Sequence, residues 1–489
     1  MARRVIAVIA LLGAIVSIFI LESARFGLDD SDHMVGDTPV TTLSRNGADG
    51  PHVVVAHGFA GSREMMQGYA HVLAQAGYRV HMFDFEGHGA HPRPMSGDVT
   101  RIDGTTQRLM AQTRAVIDDI DSNTPVALLG HSMATDVLVR VSAEVDQPGP
   151  LVLLSAFSQA VTADMPQDML LISGQWEPPL RDFALRAARM VQPDASEGEI
   201  VQNGDVIRSA QVAPFTEHVA ILQSRAGRAD AVAWLNRAYG RDETVSVPPT
   251  GWAFLSLMAA ITILAAPVAR LIVPPTNLPC KPDLPMWKFA AVLGVPMILA
   301  PGIAGIFDIN VLPVLVADYL AVHLGLYGLI TLLMLHLVTR GHGYGRFQTA
   351  AFLGLLVWGI GVFGLALDRY GANFFPVAER LPIIAALAMG AVPFMMADAL
   401  VAWKASVWRR IASRVAIIVS LGIAVALDFE GLFFLIMIAP VIVLFFLVHG
   451  AMGRAFAKRA GPLTGGLALG LILAWALGVS FPMFAARGA

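Results

Sequence analysis

Nine apolar runs constrain this 489-residue chain more than any other feature, at about 5–21, 252–272, 287–307, 312–337, 347–367, 382–403, 411–427, 431–452 and 463–485. A helix that crosses a hydrocarbon core needs roughly 20 largely apolar residues, and runs of these lengths qualify. Between the first and second run lies a long stretch of mixed composition. Hydrophobic residues make up 55% of the chain, and the mean hydropathy is +0.62. Both are too high for a water-soluble protein of this size, so a large part must face lipid. The pattern predicts an N-terminal transmembrane anchor over 1–23, a globular domain over 24–249 and a polytopic, all-α transmembrane domain over 250–489. That last part holds about eight helices, about nine with the anchor.

Charge then sets an orientation. Arg3 and Arg4 place the N-terminus on the cytoplasmic side. Counting spans from there, the loops that fall inside carry Arg270, Lys281 and Lys288; Arg340 and Arg346; Lys404, Arg409, Arg410 and Arg414; and Arg454, Lys458 and Arg459. The loops that fall outside carry Asp308, Asp428 and Glu430, with Arg369 and Arg380 balanced by Asp368 and Glu379. This is the positive-inside asymmetry, and it puts the globular domain outside the cytoplasm, on the outer or periplasmic face of a bacterial-type membrane. The first run could also be read as a cleaved signal peptide, but it is long for one, and Glu22 spoils the small-residue cleavage pattern, which favours an uncleaved anchor. With Cys280 as the single cysteine, no intramolecular disulfide can form. Residues 24–249 contain no lysine and more acidic than basic groups, which excludes nucleic acid as a partner.

Within the globular stretch, Leu128-Leu129-Gly130-His131-Ser132-Met133-Ala134 places a serine between an apolar strand-like run and a helix-compatible run, Thr135 to Glu144. A serine hydroxyl is exposed for nucleophilic attack when a tight strand-to-helix turn thrusts it out of a sheet, and that turn needs small residues two positions to either side. Gly130 and Ala134 fill those positions. Ala134 departs from the usual G-x-S-x-G by one methyl group.

The flanks strengthen the reading. Val53-Val54-Val55-Ala56 is a continuous apolar run of the kind buried on both faces of a sheet, and it ends in His57-Gly58-Phe59-Ala60-Gly61-Ser62. A helical stretch, Arg63 to Ala76, and a second strand, Tyr78 to Phe83, lead into Asp84-Phe85-Glu86-Gly87-His88-Gly89. Alternation of strand and helix predicts a parallel sheet with helical crossovers. In HGFAGS, DFEGHG, GHSMA and a late acid and histidine, taken in that order, residues 38 to 240 resemble the α/β-hydrolase superfamily, especially its esterase, serine-aminopeptidase-like and dienelactone-hydrolase-like members. The resemblance implies an α/β hydrolase fold, a mostly parallel sheet with helices on both faces.

It also implies a catalytic triad in the order serine, acid, histidine. Ser132 is the nucleophile. Glu177 follows the late strand Asp168 to Ser173 where the superfamily carries its acid, with Asp182 and Asp164 as alternatives. His218, at the mouth of the last helix, is the general base. By the same resemblance the oxyanion hole is built from the backbone N–H groups of Met133 and Phe59, and His57, His88 and His131 are structural neighbours. No metal-ligand spacing is present, and the chemistry requires no cofactor.

Only Ala156 to Gln167 separates the strand Leu151–Ser155 from the next, too little for a lid domain, so the catalytic mouth is expected to be open. The reading that follows is a membrane-integrated serine hydrolase that cleaves an ester of a lipid or envelope-associated acyl compound at the outer membrane face. Acyl transfer or peptide cleavage would use the same three residues. A transporter or flippase with an accessory domain would not need them together. Asp318, His323 and Asp398 lie within apolar runs, where an ionisable group either serves a function or bonds between helices.

Overall fold

The computed structural model describes residues 2–97, 102–276, 284–307, 309, 311–339 and 345–485. Cys280, Lys281, Asp308 and Arg340 lie outside the described residues. The chain forms two compact units. One comprises Ile15–Ser256, Asp368–Asn373 and a stretch from Pro482; the other comprises Met1–Ala14, Leu257–Leu367 and Phe374–Phe481.

The first unit is built on a nine-stranded sheet. Its strands are β1 (Leu28–Val35), β2 (Thr38–Arg45), β3 (His52–Ala56), β4 (Arg79–Phe83), β5 (Ala127–His131), β6 (Leu151–Leu154), β7 (Asp168–Gly174), β8 (Ile200–Asn203) and β9 (Val206–Ala213). They lie in the order β1-β2-β4-β3-β5-β6-β7-β9-β8. From β4 through β9 the pairings are parallel. The pairings at the two edges, β1 with β2, β2 with β4 and β8 with β9, are antiparallel. The helices are α1 (Ala2–Ser23), α2 (Gln67–Gln75), α3 (Gln107–Asp118), α4 (Met133–Ser142), α5 (Pro178–Arg189) and α6 (Arg225–Tyr239).

Alternation along the central strands shows why both faces are covered. Val53, Val55, Leu129, Val152, Leu170 and Ile172 join residues of α2 and α6 in one core. Their neighbours Val54, Leu128, Leu153 and Leu171 point the other way, stand outside that core and are equally buried. Such strands have no solvent face, and this is why they read as continuous apolar runs. The edge strands do have one: β1, Leu-Asp-Asp-Ser-Asp-His-Met-Val, is mostly exposed and gives no apolar signal.

In the second unit and α1, nine helices among the described residues are long and apolar enough to cross a membrane: Arg3–Ser23, Thr250–Ile272, Met286–Ala304, Ala317–Thr339, Thr349–Tyr370, Ala378–Ala402, Val407–Leu427, Leu435–Ala460 and Pro462–Ser480. Each coincides with one of the apolar runs. Val407–Leu427 begins earlier and Leu435–Ala460 ends later than its run, because the helices continue through Arg409, Arg410, Arg454 and Lys458, whose long stems allow a helix to extend beyond its apolar span. Pro462–Ser480 packs closely on Ala378–Ala402: a Cβ on Gly470 would stand 2.5 Å from Val392 Cα, so small residues set this approach.

Asp318, His323 and Asp398 find partners. His323 shares a hydrogen bond with Ser420 Oγ at 3.0 Å, linking two helices. Asp318 accepts from the Val311 and Leu312 amides at the start of its helix. Asp398 accepts from Ser413 Oγ at 3.4 Å and stands 3.7 Å from the Arg414 guanidinium.

Candidate active site

The strand β5 ends at His131, and α4 begins at Met133. Ser132 between them has φ 51° and ψ −116°, a backbone conformation that non-glycine residues rarely adopt and one held only where the surroundings impose it. Its N–H donates to Leu154 O at 2.9 Å, tying the turn to the end of β6. The close approach of helix and strand explains the departure at Ala134: a Cβ on Gly130 would meet Ala134 Cβ at 3.2 Å, so the glycine makes the space that the alanine methyl fills.

His218 stands beside this serine. Its Nε2 accepts from Ser132 Oγ at 2.8 Å, and its Nδ1–H donates to Glu177 Oε1 at 2.6 Å. Glu177 is the residue before α5, and its backbone N–H donates to Gly174 O at the end of β7. The second carboxylate oxygen accepts from Ser155 Oγ and from the Gly174 amide, both at 2.7 Å. Burial opposes the charged form of Glu177, but the hydrogen bonds from His218, Ser155 and Gly174 outweigh it and hold the carboxyl below its usual range. Asp164 and Asp182 make no hydrogen bond to His218.

Sequence reasoning missed Ser155. It follows β6, has φ 49° and is buried. Its only signal is its position at the carboxyl end of an apolar strand, where the chain leaves the sheet beside β7.

The histidines around this line hold it in place. His131 Nε2–H donates to His218 O at 2.8 Å, fixing the backbone that carries the imidazole. Burial, aided by His218, pushes the His131 pKa down to about 4, so it stays neutral. His57 is buried and its pKa is likewise lowered by burial. Its Nδ1–H donates to Gly58 O, and its Nε2 accepts from the Phe85 amide, which binds the HGFAGS loop to the DFEGHG loop. Asp84, fully buried, accepts from the amides of Arg63 and Ala90.

The loop carrying Phe59 runs directly beside the serine. A Cβ on Gly58 would stand 2.8 Å from His131 Nδ1 and 3.1 Å from Ser132 Cβ, so only glycine allows this approach. Met133 opens α4, and amides of a first helical turn have no acceptor inside their own helix. The Phe59 ring lies edge-on to His88 and 6.3 Å from Phe484. Phe484 belongs to a short stretch from Pro482 that pairs with the loop after β4. Met483 N–H donates to Gly87 O, Met95 N–H to Met483 O and Ala485 N–H to Met95 O. The loops that carry the polar line also bear exposed apolar side chains: Phe157, Trp176, Phe215 and Val219. Among the described residues no cluster of side chains could hold a metal ion.

The serine aminopeptidase S33 family model matches residues 49–274. This part of the chain has the α/β hydrolase fold. Solved structures similar to the hydrolase part include a CIB-like hydrolase from Thermoplasma acidophilum, 15% identical, over 43% of this chain and 98% of that one, with a TM-score of 0.34. A laboratory-evolved variant of potato epoxide hydrolase is 20% identical over 27% of this chain, which spans 41% of its length, with a TM-score of 0.22. An epoxide hydrolase from Vigna radiata is 21% identical over 27% of this chain and 39% of its own, with a TM-score of 0.23. No curated protein matches the sequence.

Proposed function

We propose that this protein is a membrane-integrated serine hydrolase that cleaves an ester of a lipid or an envelope-associated acyl compound, with its hydrolase domain on the outer face of the membrane. The observation that carries the reading is the unbroken line from Glu177 Oε1 through His218 to Ser132 Oγ, with separations of 2.6 and 2.8 Å. Ser132 Oγ attacks the acyl carbonyl while His218 Nε2 takes its proton, and Glu177 holds the imidazole tautomer and stabilises the imidazolium. The oxyanion forms against the Met133 and Phe59 amides. Collapse breaks the ester bond, and the departing alcohol takes the proton from His218. Water, deprotonated by the same nitrogen, then attacks the acyl-serine; the acyl–oxygen bond breaks, Ser132 Oγ takes the proton back from His218, and the acid is released.

Support for an acyl substrate comes from the exposed apolar side chains on the site's own loops, which offer a surface for an acyl chain, since each buried methylene contributes roughly 0.8 kcal/mol. Support for the outer face comes from the distribution of Lys and Arg among the loops. The name of the matching family favours a second reading, amide cleavage at a peptide N-terminus, by the same residues.

The test is labelling of membranes with a fluorophosphonate, followed by a substrate panel of short and long acyl esters and aminoacyl anilides. Labelling at Ser132 together with ester turnover supports the first reading, and turnover of the anilides alone moves the second ahead of it. Absence of labelling at Ser132 would remove both.

A further inference from the structure

A cavity lies in the helical unit, lined by none of the residues of the candidate active site. It has a volume of about 170 Å³ and opens among one end of the helices Ala378–Ala402, Val407–Leu427, Leu435–Ala460 and Pro462–Ser480. Five cationic side chains line it: Lys404, Arg410, Arg414, Arg454 and Lys458. One carboxylate, Asp398, faces them. The rest of the wall is apolar or glycine, including Ala399, Ala402, Trp403 and Leu469.

Positive charge at one end of a membrane bundle has a simple topological reading, since lysines and arginines in loops set orientation. That reading asks only that the charges lie in water. Here Arg414 and Arg454 stand seven and six residues inside the nearer ends of their helices, and the cations converge on a shared hollow from three separate segments. Asp398, 3.7 Å from Arg414 and also in the field of Arg454, is a single carboxylate among them. Arg414 in turn lies over the Phe446 ring, and its Nε is buried without a partner. Arg454 and Lys458 make neither a hydrogen bond nor an ion pair among the described residues. Arg410, Arg414, Arg454 and Lys458 thus share one carboxylate; like charges held together repel, and a bound anion relieves the repulsion.

We propose that this cavity binds a phosphate-bearing anion of at least two negative charges. Arginine forks match phosphate oxygens in pairs, and the excess of cations over Asp398 calls for a multiply charged group. The volume decides how much of the ligand enters. Cavities that hold whole drug-sized molecules start at roughly 300 Å³, so this one takes a head group and leaves the remainder of an amphiphile outside. The same chemistry is offered by a phosphatidate-like lipid head group and by free phosphate.

The experiment uses the purified full chain in a neutral detergent, with calorimetric titration of three probes: inorganic phosphate, dihexanoyl phosphatidic acid and dihexanoyl phosphatidylcholine. Saturable binding of phosphatidic acid, at least tenfold weaker in Arg454→Gln and in Lys458→Gln, is the expected result. Phosphatidic acid binding without phosphate binding identifies the lipid as the source; equal binding of both identifies free phosphate. The Lys458 variant guards against misfolding, since that side chain is exposed. No binding of either anionic probe, equal binding of phosphatidylcholine, or affinity unchanged in both variants would overturn the proposal.

Discussion

At the scale of single residues, the line through Ser132 makes different demands on each member. Ser132→Ala removes the proposed nucleophile, and loss of such a group costs on the order of a million-fold in turnover; fluorophosphonate labelling and hydrolysis should both disappear from membranes carrying the variant. Glu177→Gln keeps the shape but cannot hold the imidazole tautomer, and should lower turnover by roughly 10³- to 10⁴-fold, with labelling slowed in proportion. Ser155 contributes one hydrogen bond to a charged oxygen, typically worth about 1.5–3 kcal/mol. Ser155→Ala should therefore slow turnover by about ten- to a hundred-fold, a loss read in kcat with little change in KM. Glu64 gives a pH-dependent counterpart. Burial, reinforced by the neighbouring Asp84, raises its pKa from the ordinary 4.5 to about 7, and its Oε2 has no partner. The folded state thus favours the neutral acid, so the stability this group allows is fully present below about pH 4.5 and is lost as pH rises through about 7. Glu64→Gln, which mimics the neutral acid, should raise the unfolding temperature at pH 8 and leave it unchanged near pH 4.5. Of these residues, Ser132 announces itself in the sequence through its small neighbours, and Glu177 and His218 through chain order. Ser155 does not, because its role arises only when β6 and β7 lie side by side and bring it to the far oxygen of Glu177.

At the scale of elements, legibility follows burial. The strands β3, β5, β6 and β7 have both faces covered, and their Val and Leu runs stand out against any loop. The edge strands β1 and β8 leave most side chains in water, so neither period nor composition marks them. The long apolar helices are legible for the opposite reason, since their apolar character runs the length of each; their ends are less so, because arginines and lysines can continue a helix past its apolar run. Least legible is the stretch from Pro482, which sits against the loop after β4 through backbone bonds that any residue types could make. Its packing can be tested. Phe484 is 4% exposed and lies beside Phe59, and truncating a buried phenylalanine removes about 3–5 kcal/mol. Phe484→Ala should lower the unfolding temperature of the hydrolase domain, measured in the full chain, and slow fluorophosphonate labelling by disturbing the loop that carries Phe59. Unchanged labelling would mean that this loop holds its own shape.

At the scale of the whole molecule, the proposed orientation and substrate make separate claims. In intact cells Cys280 should resist an impermeant thiol reagent, whereas a cysteine placed at Asn46 or Asn203, both exposed, should react; the reverse pattern would turn the protein over in the membrane. If acyl chains settle on the exposed aromatic side chains of the site loops, Trp176→Ser and Phe215→Ser should raise KM for long-chain esters in bilayers by about tenfold and leave short soluble esters unaffected. The pairing of Met483 with Gly87 and Met95 also has a bearing on how the protein is made. A ribosome delivers the strands of the sheet early and residues 482–485 only after the final apolar run has left the exit tunnel. Until then the loop beside Phe59 lacks its partner, so a chain stalled among its long apolar helices would carry a sheet-bearing unit with unpaired backbone there, open to proteases. Completion of that loop would thus report, within the sheet-bearing unit, that the long apolar helices have all been made.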